Sequence, residues 1–145
     1  MSLSAGEIVL GRYEIDGFLS AGGMGSVYRA HHRTLGLPVV VKIVSFEGEA
    51  DVRARFEREA MLMARVRHPC VVRILDYGIL DDQRPCIAME LAEGQDLSNL
   101  IREKGALPWR EALRIVDGVA AGLTALHGAG VLHRDLKPAN VVYAP

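Results

Sequence analysis

The chain has 145 residues, 50% of them hydrophobic and 24% charged, with a formal net charge of −1. That length suits one domain burying roughly two-thirds of its unfolded surface, and the composition excludes a disordered tail. The near-neutral charge excludes the basic footprint of a nucleic-acid or anionic-membrane binder. Two cysteines, Cys70 and Cys86, are too few for a disulfide framework or a zinc site.

Residues 1–10 lack the charged and apolar regions of a signal peptide. The longest apolar stretch, Val119 to Leu132, is broken by His127 and three glycines, so no segment is read as spanning a bilayer. The expectation is a soluble cytoplasmic domain with reduced thiols.

The first half reads as strands. Tyr13 to Leu19 alternates weakly, Ser20 to Gly25 is a glycine-rich break, and Ser26 to His31 is the returning strand of a hairpin. Pro38 to Val44 is a third strand, apolar except for Lys42. Asp51 to Arg67 has helical period. Val71 to Leu75 and Pro85 to Leu91 read as two further strands, which makes five.

The second half reads as helices. Asp96 to Lys104 is short, with Asp96 placed to cap its start and Gly105 its end. Pro108 to His127 carries Trp109, Leu113, Val116, Val119, Ala120, Leu123 and Leu126 on one apolar stripe. A polar loop from His133 to Asn140 follows. The composition shifts near Glu93 and Gly94, which suggests two lobes.

Two charges stand where the pattern wants apolar residues. Lys42 interrupts the strand Val39-Val40-Val41-Lys42-Ile43-Val44, and Glu59 lies on the stripe of its helix with Val52, Phe56, Met63 and Val66. A buried charge is costly unless paired, so the two could pair with each other. The plainer alternative is that Lys42 snorkels at a strand edge and Glu59 sits at the stripe's margin.

Gly22 and Gly25 would let backbone N–H groups approach phosphate oxygens. No Gly-Lys-Ser/Thr follows them, which excludes a Walker-type loop, and no helix follows, which argues against a dinucleotide-binding turn. In the later loop, Asp135 could take a proton from a hydroxyl and Lys137 could neutralise a phosphate oxygen. Asn140 could ligate Mg²⁺.

Taken together these motifs resemble the protein-kinase family. His133-Arg134-Asp135-Leu136-Lys137-Pro138-Ala139-Asn140 is similar to its catalytic loop, in the serine/threonine form with lysine two after the aspartate. Gly22-Gly23-Met24-Gly25 with Val27-Tyr28 resembles the glycine-rich loop of bacterial eukaryotic-like serine/threonine kinases. Val39-Val40-Val41-Lys42 resembles the lysine-bearing strand, and Glu59 the glutamate of the C-helix. His68-Pro69 resembles the turn after that helix, and Met89-Glu90-Leu91-Ala92 the gatekeeper and hinge.

The resemblance implies an α+β, protein-kinase-like fold: an antiparallel five-stranded N-lobe with its C-helix, then the first helices and catalytic loop of the C-lobe. The expected parts are residues 1–12 as an N-terminal extension, 13–92 as the N-lobe and 93–145 as an incomplete C-lobe. It also implies ATP and Mg²⁺ as cofactors and phosphoryl transfer to a protein Ser/Thr hydroxyl. Ser20, Gly22 and Gly25 would cover the phosphates, and Lys42, positioned by Glu59, would hold them. Glu90 and Ala92 would bond adenine through their backbone, with Val27 and Val40 as its roof, Val142 as its floor and Met89 behind it. Asp96 would reach the ribose. Asp135 would orient the substrate hydroxyl, Lys137 would stabilise the phosphoryl group, and Asn140 would bind Mg²⁺.

The sequence departs from the family pattern in three ways. Ser20 stands at the usual first loop glycine, and Val40 at a usual alanine. These 145 residues contain no Asp-Phe-Gly and no Ala-Pro-Glu, so the implied aspartate ligand of Mg²⁺ and the activation loop are not among them. A truncated catalytic domain is therefore expected, with an exposed apolar patch on the 108–127 helix that favours self-association or docking to another kinase. Two alternatives compete with catalysis by this chain. One is an inactive nucleotide-binding or docking module. The other is a small-molecule phosphotransferase, which the Lys137-Pro138 pair disfavours.

Overall fold

Alternation from Pro38 to Ile43 organises the first half of the molecule. Val39, Val41 and Ile43 are buried, while Val40 and Lys42 on the opposite face are half-buried. The computed structural model describes residues 2–22, 25–45 and 50–145. It divides into two units: Met1–Ala64 with Arg73–Leu91, and Arg65–Val72 with Ala92–Pro145.

The first unit is a six-stranded antiparallel sheet in the order β1-β2-β3-β4-β6-β5. Its strands are β1 (Ile8–Val9), β2 (Tyr13–Gly22), β3 (Gly25–His32), β4 (Pro38–Val44), β5 (Ile74–Ile79) and β6 (Pro85–Glu90). The helix α1 (Ala50–Met63) lies between β4 and β5 in the chain. One sheet face buries Tyr13, Ile15, Tyr28, Ala30, Val39, Val41, Ile43, Cys86 and Ala88, with Leu3, Leu10 and Leu80 packed against them. Each fully buried aliphatic side chain there contributes about 1.5–3 kcal/mol. On the other face Ile74 and Ile87 meet Ala60 of α1, joined by Phe56, Met63, Tyr77 and Met89.

The second unit holds a two-stranded ribbon, β7 (Gln95–Asp96) with β8 (Val142–Tyr143), and the helices α2 (Leu97–Lys104) and α3 (Trp109–Gly128). Asp96 caps α2, its side chain accepting from the Asn99 N–H at 2.9 Å, and Gly105 ends it in the left-handed region (φ 74°). The 65–72 segment lies on α3 where Gly122 leaves room. A Cβ at Gly122 would stand 2.8 Å from the Cys70 carbonyl oxygen.

Several expectations need adjustment. The sheet has six strands rather than five, because Ile8–Val9 pairs with β2 and Val9 enters the core. Residues 1–12 thus group with the first unit instead of preceding it. Ser20 to Gly22 is paired strand, and only residues 23 and 24, which lie outside the described residues, separate it from β3. The helix expected to reach Arg67 stops at Met63, and Met61 on it is exposed. The strand expected at Val71–Leu75 runs over Ile74–Ile79. Its Asp76 and Gly78 look like turn residues in sequence, but they are held by Arg12 and by the Leu10 side chain.

On α3 the buried residues are Ile115, Gly122 and Leu126, while Trp109, Leu113 and Val116 are 67%, 57% and 62% exposed. The helix is apolar on more than one face, and periodicity alone could not choose between them. Among the described residues, no helix is long and apolar enough to cross a membrane. Both cysteines are free, and burial pushes the Cys86 thiol up to about 12.

Gly25 and Gly22 face each other at the hairpin end for different reasons. Gly25 has φ 128°, and a Cβ there would collide with the Ile43 carbonyl of β4, whereas a Cβ at Gly22 meets open space. Gly25→Ala is therefore expected to cost about 2 kcal/mol or more, since sheet backbone cannot step aside. Gly22→Ala should change stability by less than about 1 kcal/mol. Urea melts of the two variants give the comparison, and equal midpoints would refute it.

Candidate active site

Each unit carries its own set of chemistry-bearing residues. In the first unit the register fixes which side chains share a face, because directly opposed residues in an antiparallel pair point the same way. Val27 opposes Lys42, Lys42 opposes Ile87, and Val40 opposes Met89. Val27, Val40, Lys42, Ile87 and Met89 therefore form one patch, on the face that Ile87 shares with α1. Four of them belong to the expected site. Ile87 was missed, although alternation in Pro85–Glu90 places it beside Met89.

Lys42 and Glu59 are both half-buried, and no charged side chain in the described residues is fully buried. The desolvation argument for their pairing thus loses most of its force. Among the described residues no salt bridge joins Lys42 to Glu59. At the end of β6 the Glu90 N–H donates to the Arg73 carbonyl at 3.0 Å, and the Glu90 carboxylate accepts from the Arg73 N–H at 2.8 Å. With that N–H committed, Glu90 could meet an adenine amine only through its carbonyl.

In the second unit Ala92 begins the segment leading to β7. Asp96 pairs with Val142 across the ribbon, and both its carboxylate oxygens are held by Asn99. Its role in this structure is the cap, and a ribose would have to compete with Asn99. Gly94 (φ 127°) passes so close to β8 that a Cβ would lie 2.5 Å from the Tyr143 carbonyl oxygen. Val142, within β8, is exposed.

The 133–140 loop gathers its three polar groups. Lys137 Nζ lies 3.0 Å from Asp135 Oδ2, and Asn140 Nδ2 donates to the same oxygen at 3.1 Å and to the Asp135 carbonyl at 2.8 Å. A 3₁₀ turn, Pro138–Asn140, brings Asn140 back toward Asp135. Arg134 holds the left-handed region at φ 62°, and the Asp135 N–H bonds the His133 carbonyl at 2.8 Å. A non-glycine residue in that region stores strain of about 1–3 kcal/mol. The backbone of Arg134 and the buried, unpartnered His133 Nδ1 carry no sequence signal.

The hydrogen bond from Lys137 holds the Asp135 carboxyl below its ordinary value, with Asn140 adding to the effect. At neutral pH Asp135 is an ionised acceptor. With Nδ2 committed to Asp135, the Asn140 side-chain oxygen is the atom a cation would meet. Among the described residues no three His, Cys, Asp or Glu side chains cluster to hold a metal. A single amide oxygen from this loop is a donor that suits a Mg²⁺ held otherwise by phosphate oxygens and water.

The sign of the Asp135 shift gives a test. Its stabilising contribution is present above the ordinary carboxylate range and is lost as pH falls through the lowered value. Lys137→Ala should raise the Asp135 pKa toward the ordinary value, followed by NMR titration of its carboxyl carbon. An unchanged or lower pKa would contradict the assignment.

Comparison with known proteins identifies the family. Residues 13–144 match the family model described as the protein kinase domain. The chain is 39% identical over 142 residues to the serine/threonine-protein kinase pkn3 of Myxococcus xanthus, covering 97% of itself and 26% of that protein. It is 41% identical over 139 residues to the probable serine/threonine-protein kinase CPE1738 of Clostridium perfringens, covering 94% of itself and 20% of that protein. The crystal structure of the Mycobacterium tuberculosis PknI kinase domain superposes with a TM-score of 0.86 at 33% identity, over 99% of this chain and 59% of that one. The chain thus spans about a quarter or less of these curated relatives. It belongs to the protein kinase family, among the bacterial serine/threonine kinases, and covers the N-terminal part of the catalytic domain.

Proposed function

We propose that this chain binds Mg-ATP in the cytoplasm and supplies the nucleotide-holding and hydroxyl-orienting residues for phosphoryl transfer to a protein Ser or Thr. The observation that carries this reading is the 133–140 loop, where one ammonium and one amide converge on the carboxylate oxygen Oδ2 of Asp135. Mg-ATP, when bound, supplies the transferable phosphoryl group and the cation that neutralises it.

The residues divide the work by their chemistry. Lys42, half-buried on an otherwise apolar face, supplies the positive charge for phosphate oxygens, and Glu59 is the proposed orienting group. Val27, Val40 and Met89 offer an apolar surface to adenine, with the backbone of Glu90 as a polar contact. Ser20, Gly22 and Gly25 present backbone to the phosphates. Asp135 accepts the hydrogen of the substrate hydroxyl and aligns its oxygen. Its lowered pKa makes it a weak base, so orientation outweighs proton abstraction until late in the transfer. Lys137 offers a point charge to the moving phosphoryl group, and Asn140 an amide oxygen to Mg²⁺.

A thermal-unfolding comparison tests nucleotide binding. Mg-ATP at a hundred times its dissociation constant should stabilise the chain by about 2.7 kcal/mol, and Lys42→Met should abolish most of that. A parent that melts cooperatively with no shift would overturn the reading.

A second reading, self-association, is favoured by α3. Trp109, Leu113 and Val116 form an exposed stripe that runs into an apolar groove of about 260 Å³ beside α2. Arg110 and Asp117, both exposed, stand one heptad apart on the same flank of that stripe. In an antiparallel pairing of two copies each Arg110 would meet the Asp117 of the other copy, so the flank complements itself. Light scattering during size-exclusion chromatography should show a dimer that Arg110→Glu weakens. Combining Arg110→Glu with Asp117→Arg should restore it, and a parent monomer at high concentration would end the idea.

A further inference from the structure

We infer that Tyr28 is a positioning residue, tying an N-terminal strap, residues 3–12, to the glycine-rich hairpin so that the strap sets how the hairpin is held. The strap is built into the sheet. Gly6 N–H donates to the Ile15 carbonyl at 2.8 Å, and Ile15 N–H donates to the Glu7 carbonyl at 2.9 Å. Leu3 and Leu10 pack on the buried face opposite Lys42. Leu10 takes the left-handed region (φ 50°) and lies over Gly78, where a Cβ would collide with it. Arg12 closes the strap with an ion pair to Asp76 at 3.3 Å.

Tyr28 meets both partners. Its side chain is 1% exposed, and its hydroxyl accepts the Leu3 N–H at 3.1 Å. The edge of its ring meets Phe18, its direct cross-strand partner, with centroids 5.8 Å apart and planes at 76°. Past Phe18 the β2–β3 register is irregular, and Ser20, Ala21 and Gly22 pair with Val27, Ser26 and Gly25. Apart from Val27 those side chains are small, and Phe18 itself is 61% exposed, so on its β2 side the hairpin end has little packing of its own, although β4 pairs with residues 25–27. The Phe18–Tyr28 pair is the last aromatic contact holding it, and the strap fixes the far end of the Tyr28 ring. The aromatic pair and the hydrogen bond each contribute modestly, but they act in series on one element.

Hydrogen exchange on the full chain tests the link. Tyr28→Phe deletes the acceptor and keeps the ring, while Leu3→Pro deletes the donor from the other side. Both should speed exchange about fivefold in the strap and at residues 20–22 and 25–27, leaving the amides between β4 and β6 unchanged. If the strap alone exchanges faster, the inference is overturned. If Tyr28→Phe loosens the whole unit, Leu3→Pro decides, because its site lies at the edge of the sheet. The consequence for nucleotide rests on the proposed function: both variants should weaken Mg-ATP binding several-fold. Failure of nucleotide binding in the parent would leave the exchange result standing by itself, so the two ideas fail separately.

Discussion

A β-strand presents alternate side chains to opposite faces, and β4 uses each face for a different purpose. Val39, Val41 and Ile43 go into the core, while Val40 and Lys42 go to the other side. That alternation lets a lysine sit in the middle of a central strand without burying its charge. The antiparallel register then brings Val27 from β3, and Ile87 and Met89 from β6, onto the same face. The close approach of Gly25 to β4 belongs to the same constraint, since the hairpin can follow β4 only where no Cβ intervenes.

The second unit solves a different problem with local means. A single short loop places an ammonium and an amide on one carboxylate oxygen through a 3₁₀ turn and one left-handed residue. The carboxylate is held ionised, which suits orientation of a hydroxyl better than outright deprotonation. Asp96 illustrates economy of another kind. A residue read as a ligand contact is spent on capping α2, and its pairing with Val142 joins that helix start to the strand after the loop.

Much of this was legible in the sequence because it depends on short-range order. The β4 alternation, the Asp96 and Gly105 caps and the 133–140 string all rest on spacing within a few residues. The misreadings have one cause: distant residues supplied what local pattern lacked. Asp76 and Gly78 look like turn residues, yet both pair with β6, at Ala88 and Cys86. Residues 1–12 look like an appendage, yet Ile8 and Val9 pair with β2. On α3 the apolar residues outnumber the faces that one stripe can fill, and packing against Cys70 buried the Ile115–Gly122 side instead of the Trp109–Val116 side.

The sequence by itself determined the family, the order of the elements and the identity of the chemical groups, because each depends on residue type and local spacing. Tertiary structure decided which face of each element is buried and whether a charge needs a partner. It left Lys42 and Glu59 half-buried, so they need not pair as full burial would have required. It also decided that Tyr28, an ordinary strand aromatic in sequence, joins the strap to the hairpin. The physical reason is that desolvation and packing are set by what the rest of the chain brings to a residue, and no local pattern encodes that.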